Sequence, residues 1–453
     1  MENDKSEKLD FKRILPIIFI VFIDLMGLTI LIPVVPYYAL SFDAGPATIG
    51  LLGAVYPLMQ LMGGPILGSL SDRYGRKPIL AISQVGTFLS LLLFGFANAL
   101  WVIFVARLLD GVTGANISTV SSAITDVTTP KTRSQGLGLV GAAFGMGFIF
   151  GPVLSGVALS LSGNNYSAPA FVAAGFAFVS VLLTTFVFKE TLPPEKRGQD
   201  QSKRGLSLSR LASGLRHPII GTLFVLLLLQ QTVFGAFQSM FAPFTLNRLG
   251  LNSVGNAIVF VFIGIITVIV QGGLIRSLTD RFGERKLIIG GLASLGLALF
   301  LMGLTPQQAV TWYSEEALVT ELQQGQTTAD ISGQLDLLPP EEPQGVGALV
   351  FLLLVMIPLS VGSGMIQPSV NSLLTQSVSP QEIGATLGLS AAFLSLGNVL
   401  GPLWGGVAFD FVAPGAPFVV GGLLVILLVP LAIRRVQMPS KTPSAAPAVS
   451  DVS

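Results

Sequence analysis

Apolar residues run along this chain in blocks too long for the core of a water-soluble domain. Twelve of them reach or nearly reach the roughly 20 apolar residues that a helix needs to cross the hydrocarbon of a bilayer. They cover residues 14–38, 47–70, 78–97, 100–124, 135–160, 169–188, 217–243, 253–276, 287–305, 346–368, 384–409 and 417–434. Short turns rich in Gly, Pro or charge separate them. Gly and Pro inside the blocks are tolerated, because neighbouring helices re-satisfy the freed backbone groups. The pattern predicts an all-α membrane protein of twelve transmembrane helices.

Charge orients those helices. With both termini cytoplasmic, all but two of the 25 basic residues fall at cytoplasmic ends or loops; the exceptions are Arg248 in an outer loop and Arg107 inside a span. This is the positive-inside distribution, and an odd number of spans would scramble it. Residues 1–13 form a charged cytoplasmic tail. The apolar run after them is too long for a cleavable signal and lacks a small-residue cleavage site, so it reads as a retained span. Residues 189–216, with seven basic and three acidic side chains, form a solvated cytoplasmic loop joining two blocks of six helices, 14–188 and 217–434. Residues 306–345 carry seven acidic side chains and no basic one, and form an external, weakly structured loop with a short helix near Trp312–Gln324. Residues 435–453 read as a disordered cytoplasmic tail.

Composition narrows the chemistry. Apolar residues make up 51% and charged residues 11%, where a soluble chain would carry about a quarter charged, so the solvent is lipid. A net charge of +1 argues against a nucleic-acid partner. There is no cysteine, which excludes disulfides and thiolate metal sites, and the one histidine, His217, makes no histidine metal cluster. No Walker loop and no credible nucleophile–base pair are present, so an enzyme is not expected, nor a catalytic residue, a metal or a cofactor. Gly136-x-Gly138-x-x-Gly141 has dinucleotide-fingerprint spacing, but it follows no strand and opens a membrane helix. The partners expected are the bilayer and a small-molecule substrate, for a monomer in a bacterial inner membrane.

The two six-helix blocks read as copies. Asp72-Arg73-Tyr74-Gly75-Arg76-Lys77 after the second helix recurs 208 positions later as Asp280-Arg281-Phe282-Gly283-Glu284-Arg285. Gly138, Gly147, Gly151, Pro152 and Gly156 on helix 5 recur 250 positions later as Gly388, Gly397, Gly401, Pro402 and Gly406 on helix 11. The outer loop 306–345 accounts for nearly all of the difference between the two offsets. Two pseudo-symmetric six-helix bundles related by an axis along the membrane normal enclose a central site that can open to either side.

These residues carry a resemblance. Gly68-Ser69-Leu70-Ser71-Asp72-Arg73-Tyr74-Gly75-Arg76-Lys77-Pro78 is similar to the signature between helices 2 and 3 of the major facilitator superfamily. Arg107-Leu108-Leu109-Asp110-Gly111-Val112-Thr113-Gly114 resembles its helix 4 motif, and Gly138-x8-Gly147-x3-Gly151-Pro152 its helix 5 antiporter motif. Asp24-Leu25-Met26-Gly27 with Pro33 and Pro36 resembles helix 1 of the drug exporters. The chain resembles the twelve-helix drug–proton antiporters of that superfamily, nearest the tetracycline-efflux type, which implies multidrug efflux, antibiotic resistance and a proton gradient in place of a cofactor. Two features depart from the type. Residues 78–97 contain no acidic residue, with Ser90 near its expected place, which argues against a tetracycline–metal chelate as substrate. Arg276 stands where the first copy of the signature has Gly68.

Asp24 lies near mid-membrane, where a carboxylate costs about 2.5–3.5 kcal/mol on insertion scales, so it faces a wet cavity or a partner. It reads as a proton-coupling group or as a helix-packing carboxylate. Arg107 and Asp110, three apart on one helix face, are either part of proton transfer, as the resemblance implies, or an internal ion pair. Asp72, Arg73, Arg76, Lys77, Gly68 and Gly75, with Asp126 as acid partner for Arg73 or Arg76 and the copies Asp280 and Arg281, read as a cytoplasmic gate. The glycines and prolines of helices 5 and 11 are packing devices; antiport follows from the resemblance alone. Gln60, Asn116, Gln231, Phe234 and Gln238 are candidates for the substrate cavity. A metabolite uniporter or importer of the same fold, and a non-transporting membrane receptor or scaffold, are the alternative readings.

Overall fold

Residues 11–129, 132–198, 218–323, 336–378 and 382–436 are described by the structure, a computed structural model. The tail before Phe11, His217 with the central-loop residues 199–216, residues 324–335 and the tail after Val436 lie outside the described residues. Among the described residues twelve helices are long and apolar enough to cross a membrane. They are α1 (Phe11–Leu31), α2 (Pro46–Tyr74), α3 (Arg76–Gly95), α4 (Leu100–Asp126), α5 (Arg133–Leu161), α6 (Ser167–Val187), α7 (Pro218–Leu249), α8 (Ser253–Phe282), α9 (Glu284–Gly303), α10 (Gly347–Gln376), α11 (Ile383–Phe411) and α12 (Ala416–Arg435).

Two spans depart from the continuous helices that the sequence pattern predicts. The first span stops at Leu31 rather than residue 38. Pro33 and Pro36 lack the amide hydrogens a continuing helix needs, and a separate short helix, Val35–Leu40, restarts with Pro36 in its first turn. The fourth span is broken at residues 114–116, between helical segments Leu100–Thr113 and Ile117–Asp126. The short loop helix runs over Glu315–Gln323, within the segment expected to hold it.

The sequence repeat is a structural one. Helix pairs α1–α5, α3–α6 and α2–α4 pack together in the first half, and α7–α11, α9–α12 and α8–α10 pack in the second. With lipid as apolar as leucine, close packing and hydrogen bonds must hold these pairs. At Gly151 a Cβ would stand 2.7 Å from the Thr29 carbonyl carbon, so only glycine lets α5 lie on α1 there. Thr29 Oγ1 donates to the Gly147 carbonyl at 2.7 Å and closes the same contact. In the copy, a Cβ at Gly401 would stand 2.8 Å from the Ala236 amide of α7. The expected packing role fails at Gly388, which has no neighbouring atom within 4 Å.

The two halves meet through α2–α11 and α5–α8, a pairing that obeys the same two-fold. Their closest approaches lie toward the face that carries the loop between α9 and α10. A Cβ at Gly406 would be 2.7 Å from the Pro46 carbonyl, and one at Gly264 would be 2.8 Å from that of Phe148. Toward the opposite face, where α1 begins and α12 ends, Gly141, Gly273 and Gly388 are exposed with no atom within 4 Å. The halves are therefore shut at the loop face and part toward the termini face.

Candidate functional site

Asp24 sits on α1 with a neutral donor on each of three other helices. Ser180 of α6 donates to Oδ1 at 2.7 Å, Asn116 of α4 to Oδ2 at 2.9 Å, and Gln84 of α3 stands 3.5 Å from Oδ2. The break in α4 is what brings Asn116 here, since it lies in the turn between the two helical segments. Asn116, expected in the substrate cavity, is therefore a holder of the Asp24 carboxylate. Ser180 and Gln84 escaped the sequence analysis, although a polar residue inside a span was the signal that identified the other amides.

Arg107 and Asp110 are both buried, at 8% and 6% exposure, and their ion pair is long at 3.4 Å. The Arg107 guanidinium lies over the Tyr56 ring, 4.5 Å from its centroid, and its Nε is buried without a hydrogen-bond partner. Arginine stays charged in a protein, so a cation with unused donors is left beside the cavity. Ser90, near the place of the missing helix 3 carboxylate, stands with Thr87 against Asp110.

Two adjoining spaces surround these groups. A central cavity of about 1060 Å³, counting its open mouth, lies between the halves and is lined by Arg107, Tyr56, Gln60, Gln238, Asn398 and apolar residues of α1 and α2. A side pocket of about 590 Å³, again counting open space, lies within the first half and is lined by Asp24, Asp110 and Asn116. Leu28, Tyr56, Gln60 and Ile117 line both. Gln60 and Gln238 line the central cavity. Gln231 instead donates to Asn398 at 2.7 Å, and Phe234 packs against Phe237, which is core. Tyr56 and Asn398 are cavity residues that sequence reasoning did not single out. No group of three or more His, Asp or Glu among the described residues could hold a metal ion.

At the termini face, Arg76 is 2% exposed and bonds Asp126 Oδ2 at 3.0 Å, Ser71 Oγ at 2.8 Å and Asp72. Of the two arginines considered for Asp126, Arg76 takes it; Arg73 lies over the Tyr74 ring. Glu190 receives the Arg76 and Lys77 amides at 2.9 and 3.2 Å, an anion at the start of α3 where the helix dipole favours it. Gly75, at φ +109, makes that turn, and a Cβ there would strike the Glu190 carboxylate. Gly68 faces Ser118 of its own half. In the second copy Asp280 is exposed and Arg281 lies over Phe282.

The arrangement matches known transporters. The chain is 27% identical over 402 residues to the tetracycline resistance protein, class B, of Escherichia coli, with 87% of this chain and 88% of that one covered. It is 26% identical over 429 residues to multidrug resistance protein 2 of Bacillus subtilis, with 94% and 95% covered. Its fold superposes on the human organic anion transporter MFSD10 with a TM-score of 0.64 at 19% identity, over 94% of this chain and all of that one. The family described as the Major Facilitator Superfamily matches residues 17–321. With two six-helix halves around a central cavity and that match over most of its length, this multi-pass membrane protein belongs to the major facilitator superfamily of small-molecule transporters.

Proposed function

We propose that the chain exports small amphipathic organic molecules in exchange for protons, by alternating access. The observation that carries this reading is the side pocket: two carboxylates, the half-buried Asp24 and the buried Asp110, adjoin the substrate cavity, with Arg107 at the boundary. The names of the resistance-protein relatives support the direction of transport and the class of cargo. The distribution of basic residues supports a cytoplasmic termini face, and the bacterial relatives favour the inner membrane. Cargo then enters the cavity from the cytoplasm or inner leaflet, against apolar walls and the amides of Gln60, Gln238 and Asn398. A proton arriving from outside neutralises Asp24, with Asp110 and Arg107 relaying the change, and favours release outward. Arg76 with Asp72 and Asp126 holds the cytoplasmic ends of α2, α3 and α4 as one unit of the gate. Glycines 147, 151, 397 and 401 let the helices of each half move as rigid pairs. The working unit is a monomer without cofactor.

Proteoliposomes with an imposed pH gradient and a fluorescent amphipathic cation test this reading. Cargo should move toward the side from which protons are supplied, and the direction should reverse with the gradient. Flux that only dissipates the cargo gradient, at the same rate whichever side is acidic, would make the protein a uniporter and refute proton exchange.

A further inference from the structure

The acidic loop between α9 and α10 is fastened to the second half. The amides of Gln308 and Val310 donate to the carbonyls of Arg248 and Leu249, both at 2.9 Å, and Asn247 donates to the Leu337 carbonyl at 3.2 Å. Tyr313 sits over Gly250, where φ is +65 and a Cβ would enter the ring. From this anchorage the helix Glu315–Gln323 reaches over the junction of the halves, with Leu318 and Leu322 buried in the main core.

Glu321 on that helix is 5% exposed and bonds both halves at once. From the first half, Tyr166 donates to Oε1 at 3.1 Å and Asn164 to Oε2 at 3.0 Å. From the second half, Ser253 donates to Oε1 through its hydroxyl at 2.7 Å and its amide at 3.4 Å, and Asn252 donates to Oε2 at 3.2 Å. Asn252 caps α8, so the carboxylate also lies at the positive end of that helix. Burial, and then the Glu321 charge, push the Tyr166 phenol well above its ordinary range, so it remains a protonated donor. Tyr37, likewise raised chiefly by burial, donates to the Leu251 carbonyl across the same junction at 2.7 Å.

A buried carboxylate needs its lone pairs filled, and bonds to it are about twice as strong as neutral ones. When the halves rock apart at the loop face, Asn164 and Tyr166 leave with the first half. Asn252 and Ser253 stay with Glu321, because the loop and α8 belong to the same half. The bonds to the first half therefore exist in one conformation only, which is the condition for a contact to bias a two-state equilibrium. We propose that Glu321 is the latch of the outer gate: it holds the loop face shut while the cavity is open to the termini face, and it lets go when that face opens. The assignment goes beyond the proton-exchange reading and requires neither its cargo nor its driving ion.

The chain has no cysteine, so spin labels can be placed without background. Leu161→Cys and Val412→Cys, 84% and 75% exposed near the loop-face ends of α5 and α11, report the opening of that face by double electron–electron resonance in lipid nanodiscs. The double variant Asn164→Gly/Tyr166→Phe removes the bonds to the first half and leaves the loop docked, with glycine keeping the φ of +65 that alanine would strain at residue 164; Glu321→Gln removes the charge at nearly constant size. Both should raise the ratio of long to short distances about tenfold or more, the effect of losing one hydrogen bond to a charged group. An unchanged distribution in the double variant would overturn the latch, and a shift seen only with Glu321→Gln would overturn it too, leaving Glu321 a loop-docking residue.

Discussion

Replacing Asp24 by asparagine isolates proton coupling from folding, because the surroundings of this carboxylate can accept an amide. Asp24 Oδ2 receives Asn116, and an asparagine oxygen placed there keeps that bond. The new amide nitrogen then faces Ser180, whose hydroxyl now donates to Oδ1 but can turn to accept instead. The charge-assisted bonds from Ser180, Asn116 and Gln84 become neutral while a desolvated charge is removed, so the losses and the gain offset and the net change in stability should stay within about 2 kcal/mol. The transport effect should be far larger. Two pH units across the membrane are worth about 2.7 kcal/mol per proton, a ceiling of about hundredfold accumulation for a neutral cargo at one proton per cycle. In proteoliposomes the wild type should approach that ratio. Asp24→Asn should stay near equality, yet still exchange labelled for unlabelled cargo, since alternating access itself is intact. A variant that melts like the wild type and still accumulates cargo more than about tenfold would refute Asp24 as the coupling group.

Three further outcomes are expected. Gly151→Ala forces a Cβ against the Thr29 backbone and should lower thermal stability in detergent by about 1–3 kcal/mol, whereas Gly147→Ala, whose Cβ would meet Leu25 at 3.5 Å, should melt almost as the wild type does. Arg76→Ala removes the cation that pairs with both Asp72 and Asp126, whose side chains are only 13% and 20% exposed, and should cost about 3 kcal/mol; Arg73→Ala, on an exposed side chain, should cost no more than about 0.5 kcal/mol by the same melting assay. A cysteine at Gly388, in the part of α11 where the halves stand apart, should react with a membrane-impermeant thiol reagent applied to the termini face and resist it from the loop face; labelling from the loop face alone would contradict the conformation described.

The twelve spans were legible because the hydrocarbon imposes a length and a hydropathy on every helix that crosses it, a one-dimensional constraint. Even there, the break in α4 was not legible: Gly114-Ala115-Asn116 is no stronger a breaker than other glycines inside these spans, and the turn lies against α2, where a Cβ at Gly114 would stand 3.0 Å from the Tyr56 hydroxyl. The candidate site was partly legible. A carboxylate in a span, as at Asp24, marks itself by its cost, and so does a buried arginine such as Arg107. Gln84, Ser180 and Tyr56 carry no such cost, and their roles arise only from what stands opposite them. Glu321 was hidden differently, as one of seven acidic residues in a loop whose composition suggested solvent exposure.

What the chain determines by itself is what local chemistry and the membrane together demand: the number of spans, their charge asymmetry, the internal repeat, and the positions where a glycine or an ionisable group would be too costly without a purpose. Tertiary structure decided which of those groups meet. It chose Arg76 over Arg73 for Asp126, turned Asn116 toward Asp24 and Gln231 toward Asn398, and carried Glu321 to a junction with Asn164 and Asn252. The reason is geometric. Spacing along one helix fixes which face a side chain occupies, whereas the partner on the neighbouring helix depends on the crossing and depth of both, and these are set by all the packed contacts together.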